Sequence, residues 1–357
     1  ALAAGKLMRI ARHGCRVQAD LGHDLGHHLA PVAAGFDTVN AQTLGDDFFR
    51  HDEAAHALTG SRTGESYRLG DSVNVRLVEA PCIGQCHQAP AACVGQHQLP
   101  QASADSVADL VERGDTGPRV LPGPTGNSDH AQLRRLLGGA LSPDQVLAEL
   151  KASQLRGLGG AGFPAWRKWE TVRAQPGRKA MVVNIDEGEV GTFKDAAVLA
   201  EGIPQVLEGV LIAAEVVGLE HVWLYLRDEY HDARALLQAE LGRLQADLAP
   251  LRARFPQWRP PRIELRRGAG AYICGEESAL IESIEGRRGL PRLKPPIVAV
   301  HGVFGRPTLA HNPETLWWLP EILAHGGAWL TTHGRAGRNG LRRCSVSGRV
   351  KLPGVYL

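Results

Sequence analysis

Two short, almost unbroken apolar runs, Ala180-Met-Val-Val-Asn184 and His221-Val-Trp-Leu-Tyr-Leu226, most constrain the fold of this chain. They lack the alternation of a half-exposed strand, so each reads as a strand buried on both faces. Helical segments surround them. Ser142-Pro-Asp-Gln145 is a helix start: serine as N-cap, proline in the first turn, glutamine three residues after the cap. Val146, Leu147 and Leu150 continue it as an apolar face, and Ala233 to Leu248 reads as a long helix. Strands alternating with helices predict an α/β layered core.

A chain of 357 residues is long enough for two or three domains. Ahead of the layered core, Val73 to Glu79 alternates like a half-buried strand, and Ser103 to Val111 reads as a short amphipathic helix. The glycine- and proline-dense stretch from Gly114 to Asn127 marks a linker, residues 114–128. The charges nearly cancel, 40 Lys+Arg against 38 Asp+Glu, which removes nucleic acid and anionic membrane as organising partners. The most hydrophobic run, Val206 to Leu219, is interrupted by Glu208 and Glu215, so no membrane span is expected. Six cysteines are too sparse for a disulfide scaffold, and a cytoplasmic location is expected.

Three segments carry residue types suited to chemistry. Arg156-Gly-Leu-Gly-Gly-Ala-Gly-Phe-Pro164 satisfies G-x-G-x-x-G at Gly157, Gly159 and Gly162. A dinucleotide fingerprint needs a strand before it, whereas here a helix precedes it and the strand follows, so a standard Rossmann loop is rejected. Its glycines still allow backbone N–H groups close to a phosphate or flat ring, with Lys168 available to neutralise a phosphate. The second segment, Asn184-Ile-Asp186-Glu187-Gly188-Glu189, sets three carboxylates at the end of a buried strand. These can accept from ribose hydroxyls, an amide or a flavin edge; a divalent cation is the competing ligand. The third, Gly268-Ala-Gly-Ala-Tyr272-Ile-Cys-Gly275-Glu276-Glu277, has P-loop glycine spacing, but carboxylates stand where a triphosphate site needs Lys-Ser/Thr. Arg287, Arg288, Arg292 and Lys294 follow as a basic cluster. No acid/base pair of a stand-alone dehydrogenase is evident.

Taken in order, RGLGGAGFPAWRKW, NIDEGEVGTFKD, GAGAYICGEESALIESIEGRRGLPRLKPP, RPTLAHNPETLWW and SVSGRVKLPGV resemble the flavin subunit of respiratory complex I and its diaphorase relatives. The likeness is nearest to the β subunit of NAD-dependent molybdenum or tungsten formate dehydrogenases. It implies an α/β FMN/NAD(H)-binding domain over residues 129–340, with 341–357 starting a further small domain. It places Gly157, Gly159, Gly160, Gly162, Phe163 and Lys168 against FMN phosphate and the dinucleotide. Asn184, Asp186, Glu187 and Glu189 would line flavin and nicotinamide; Tyr272, Gly275, Glu276, Glu277 and Lys294 would hold FMN and the NAD(H) head; Asn312 and Thr315 would touch FMN. Glu189 and Glu277 would position the nicotinamide and tune the flavin. His311 departs from the family, which usually has asparagine there.

The same resemblance implies a thioredoxin-like [2Fe–2S] domain over residues 1–113, with Cys82 and Cys86 as its second ligand pair. Where the family has its first pair, this chain has His51 and His56. A His2Cys2 cluster and a lost cluster both stand as alternatives. The family's [4Fe–4S] ligands are not in this chain. The implied activity is hydride exchange between NAD(H) and FMN and single-electron exchange with iron–sulfur clusters. The implied partners are a large molybdenum/tungsten subunit with iron–sulfur clusters and a small ferredoxin-like subunit. Complex I, an NAD-reducing hydrogenase and a cofactor-less scaffold subunit are the alternatives.

Overall fold

The computed structural model describes residues 82–123, 129–335 and 338–357, together with the backbone of seven short strands between Leu7 and Asn74. The chain divides into two compact units, Ala1–Arg119 and Val120–Leu357. In the first, besides those strands, lie a hairpin, Ala92–Val94 with His97–Leu99, and a helix, Ala104–Arg113. Ser103 caps that helix reciprocally with Ser106, and Val107, Ala108 and Leu110 form its buried face. The strand expected at Val73–Glu79 is assigned only at Val73–Asn74; the rest lies outside the described residues.

The second unit is built on four parallel strands: β1 (Lys179–Ile185), β2 (Leu219–Leu226), β3 (Arg262–Arg267) and β4 (Thr308–His311). Their order across the sheet is β3-β2-β1-β4. Three helices precede the sheet: α1 (Ala131–Leu137), α2 (Pro143–Ala152) and α3 (Ala165–Arg173). Between β1 and β2 runs α4 (Lys194–Val217). α5 (His231–Asp247) and α6 (Ala249–Arg254) connect β2 to β3, and α7 (Glu277–Ile284) follows β3. After β4 comes α8 (Pro313–His325).

Both faces of the sheet are covered. Met181, Val183 and Ile185 join the large core with α1 to α5 and α8, whereas Ala180 and Val182 join a smaller one with Leu280, Ile281 and Ile284 of α7. This two-sided burial is why β1 is apolar without alternation. The Ser142 capping box forms as expected, and the helix expected at 233–248 starts two residues earlier, at His231. The Val206–Leu219 run lies mostly in α4. By length and hydropathy α4 is apolar enough to cross a membrane, yet most of it is buried in the core. Its interrupting Glu208 is buried and accepts the amides of Gln132 (2.9 Å) and Leu133 (3.2 Å) at the start of α1.

The chain runs from β1 outward to β3 and returns to β4 on the other side of β1. The sheet therefore has a switch point between β1 and β4, where parallel sheets leave a crevice beyond the strand ends.

Candidate functional site

All three motif segments meet at that crevice. Asn184, near the end of β1, donates from Nδ2 to the Gly275 carbonyl (2.8 Å) and accepts the Asp186 amide on Oδ1 (3.1 Å). Tyr272 donates its hydroxyl to Glu189 Oε1 (2.6 Å), and a Cβ on Gly275 would lie 3.2 Å from the Asp186 carbonyl. The acidic turn and the Gly268–Glu277 segment are thus laced together. The glycine loop attaches from the other side. The Leu158 amide donates to Thr315 Oγ1 (3.0 Å), and the Gly157 amide to the Phe163 carbonyl (2.9 Å). Gly159 passes so close to Asn312 that a Cβ there would sit 3.1 Å from the asparagine Cβ. No side chain fits between them without a shift, which explains the glycine.

Asn312 is the N-cap of α8, an Asn-Pro-Glu start visible in the sequence. Its Oδ1 accepts the Glu314 amide (3.0 Å) and Lys194 Nζ (3.3 Å), and its Nδ2 donates to Asp195 (2.6 Å). Its acceptor is therefore committed, which leaves one amide hydrogen for a ligand.

Four charges alternate across the mouth. Lys168 donates to the Ala310 carbonyl (3.2 Å) and stands 3.6 Å from Glu277. Lys294 reaches Glu276 (3.0 Å) and Glu277 (3.3 Å). Burial disfavours charge on Lys294, but the two carboxylates outweigh it and raise its pKa. Glu276 is also the N-cap of α7, accepting the amides of Ser278 (2.8 Å) and Ala279 (3.0 Å). Burial opposes its charge; bonds from Ser278, Ala279 and Lys294 prevail and lower its pKa.

A second layer lies behind. Lys194 is largely buried, 2.6 Å from Asp195 and 3.2 Å from Glu314, the latter an ion pair without hydrogen-bond geometry. Burial opposes its charge, but Asp195 and Glu314 raise its pKa. Glu187 accepts the Asp195 amide on both oxygens (3.1 Å each) and the Tyr230 hydroxyl (2.9 Å). Burial and then Asp195 push its carboxyl well above the ordinary range. Arg343 and Ser345, from the C-terminal segment, bond to Glu314 and to the Phe193 amide.

Asp186 is different. Its Oδ2 is buried and has no hydrogen-bond partner, and burial pushes the carboxyl up to about 6 against the pull of Arg227.

The structure therefore brings Gly159, Lys168, Asn184, Asp186, Glu189, Tyr272, Gly275, Glu276, Glu277, Lys294 and Asn312 together at the switch point, with Gly157, Gly160, Gly162 and Phe163 in the loop that Leu158 and Gly159 attach there. Phe163 and Tyr272 are 46% and 65% exposed, so both rings stand largely uncovered. Three expected contacts are buried instead. Glu187 caps α4, Thr315 Oγ1 holds the glycine loop, and His311 Nε2 accepts the Trp169 indole N–H (2.8 Å). Lys194, Asp195, Glu314, Tyr230 and Trp169 had no assigned role in the sequence. Lys194 and Asp195 were visible only as the end of the acidic motif.

Cys82 and Cys86 in the first unit have sulfurs 3.2 Å apart, and buried Gln98 ties their loop to the hairpin through Gln85 and the Ile83 carbonyl. The side chain of His51 and all of His56 lie outside the described residues. Among the described residues, no group of three or more His, Cys, Asp or Glu side chains is arranged to hold a metal ion. The divalent-cation alternative for the acidic turn therefore has no support there.

Residues 150–321 match the family described as the Nuo51 FMN-binding domain. A subunit of the NADH-quinone oxidoreductase of Rhizobium meliloti is 41% identical over 231 residues, 63% of this chain and 53% of the relative. The NAD-reducing hydrogenase HoxS subunit alpha of Cupriavidus necator is 35% identical over 338 residues, 85% of this chain and 55% of the relative. A solved NAD+-reducing [NiFe]-hydrogenase superposes with a TM-score of 0.67 at 34% identity, covering 77% of this chain and 50% of that one. The chain spans about half the length of the relatives it matches.

Proposed function

We propose, from the premise that the domain over residues 150–321 belongs to the family of complex I 51-kDa flavin subunits, that this chain is the NAD(H)- and FMN-binding diaphorase subunit of a multisubunit oxidoreductase. The observation that carries the proposal is the convergence of the three motif segments on the β1/β4 switch point, through Asn184 on Gly275, Glu189 on Tyr272, Gly159 against Asn312 and Lys168 beside Glu277.

The residues fit such a cofactor. Asp186, partly exposed just past the end of β1, offers a carboxylate to the hydroxyls of a ribityl chain. The glycine loop offers backbone to a phosphate, and Lys168 and Lys294 offer charge, each shared with a carboxylate. When bound, FMN supplies the exchange between two-electron nicotinamide chemistry and one-electron clusters. The protein's own residues bind, orient and exclude water. Asn184 and Asn312, each with one uncommitted amide hydrogen, face ligand acceptors. Glu189, held by Tyr272, and Glu277, held between two lysines, position the nicotinamide and set the local field. No side chain is asked to act as nucleophile or general base.

The relatives belong to NADH-quinone oxidoreductase and NAD-reducing hydrogenase, and assemblies of that kind with iron–sulfur partners are the reading they favour. A formate dehydrogenase with a molybdenum or tungsten large subunit is a separate proposal resting on the motif runs alone. A cytoplasmic location, the 114–128 linker and an N-terminal cluster at Cys82, Cys86, His51 and His56 go with either. The large subunit that co-purifies with the chain decides between them. The shared claim is tested by flavin absorbance of the purified protein and its bleaching by NADH. A folded, colourless protein that binds neither FMN nor NADH would establish the cofactor-less scaffold instead.

A further inference from the structure

The residue that departs from the family, His311, has a role that direct ligand contact does not describe. Trp169 is among the largest fully buried side chains, and an indole N–H in such a place needs an acceptor. His311 Nε2 provides it at 2.8 Å, with the two rings tilted by 56°. Accepting there puts the ring hydrogen on Nδ1, a tautomer assigned from the bond itself. Burial, aided by the nearby Lys168 charge, pushes the pKa of His311 down to about 3, so the acceptor persists through the neutral range.

The neighbours on both elements repeat the attachment. Lys168, one residue before Trp169, donates to the carbonyl of Ala310, one residue before His311 (3.2 Å). Two successive residues of α3 are thus fastened to two successive residues of β4. α3 begins directly after the glycine loop, with Pro164 as its N-cap. β4 is the strand at the sheet edge beside the crevice.

We propose that His311 is a positioning residue: by taking the Trp169 indole N–H it pins α3, and with it the glycine loop and Lys168, against β4, and so sets how tightly the FMN phosphate end is held. The proposal rests on the flavin reading above. In this role the histidine does what the family's asparagine would not. Glutamine can put its carbonyl oxygen near the place of Nε2, whereas asparagine reaches only to the place of Nδ1.

The test uses the full chain with FMN and three substitutions. His311→Gln keeps an acceptor at the right reach, His311→Leu fills the volume without one, and Trp169→Phe removes the donor. FMN affinity is read by quenching of flavin fluorescence, and the Trp169 hydrogen bond by the N–H-sensitive band of the tryptophan Raman spectrum. The expected result is wild-type affinity and an intact band in His311→Gln. In His311→Leu and Trp169→Phe, FMN binding is expected to be about tenfold weaker, and no weaker still in the double variant. Wild-type affinity in folded His311→Leu or Trp169→Phe, or a His311→Gln protein as weak as His311→Leu, overturns the proposal. If His311→Leu does not fold, the other two variants still decide. A wild-type protein that binds no FMN overturns the flavin reading and the proposal together, an outcome distinct from variants that bind as well as wild type.

Discussion

Asp186 and Glu187 are adjacent carboxylates with opposite fates, and the sequence could not separate them. One is held at the crevice with an unsatisfied oxygen; the other is taken up by the amides at the start of α4. The difference arises because the chain turns back within eight residues and brings the exposed N–H groups of a helix end beneath Glu187. The Asp186 carboxyl lies at about 6 in the fold against an ordinary 3.8. A raised carboxyl means that the unfolded chain releases its proton first, so stability is fullest below the ordinary value and falls as pH climbs to about 6. The loss is bounded at roughly 3 kcal/mol, less where solvent screens the group. Denaturation of ligand-free Asp186→Asn between about pH 4 and pH 7 is expected to show a flatter profile than wild type; identical profiles would refute this. Lys194 makes the opposite case. Replacing it by methionine leaves Asp195 and Glu314 buried without their cation, a loss of about 3–5 kcal/mol. Urea denaturation reads this directly, and a loss under about 1 kcal/mol would mean that the cluster relaxes at little cost.

Elements were more legible than side-chain directions, because periodicity and caps are local signals. The Ser142 start, the β1 and β2 runs and the helix from His231 all carried them. The break after Asp247 has a cause in plain view, Pro250, which opens the short α6. The Val206–Leu219 run was harder to place, since two glutamates interrupt it. The fold occupies both: Glu208 caps α1, and Glu215 bonds to Trp258. Those partners lie far along the chain, beyond any local reading. The close approach of α4 to α8 was equally hidden. A Cβ on Gly209 would lie within 2.2 Å of the Leu316 carbonyl, so the two helices touch backbone to backbone. Gly209→Ala must separate them, and a loss of about 2–4 kcal/mol in thermal or chemical unfolding is expected. A neutral effect would show that α8 slides without penalty.

At the scale of the molecule, the order of strands rather than any residue decides where the three motifs meet. The three motifs are scattered over more than a hundred residues, and the G-x-G-x-x-G match alone would suggest a Rossmann loop that the helix before it and the strand after it exclude. The resemblance reads them as one site, and their meeting place follows from the β3-β2-β1-β4 order. A ligand that binds only the folded crevice should stabilise the whole second unit. At one hundred times its dissociation constant, FMN is expected to add about 2.7 kcal/mol, seen as a rise in melting temperature that grows with FMN concentration. No shift at saturating FMN would count against the site.

The alternation Lys168–Glu277–Lys294–Glu276 at the mouth has a consequence for how an anion enters. Neither ammonium waits for a counter-ion from solution, because a tethered one already sits beside it. An arriving phosphate trades places with a carboxylate and sets few mobile ions adrift, so its affinity should respond to added electrolyte more weakly than two bare cations would suggest.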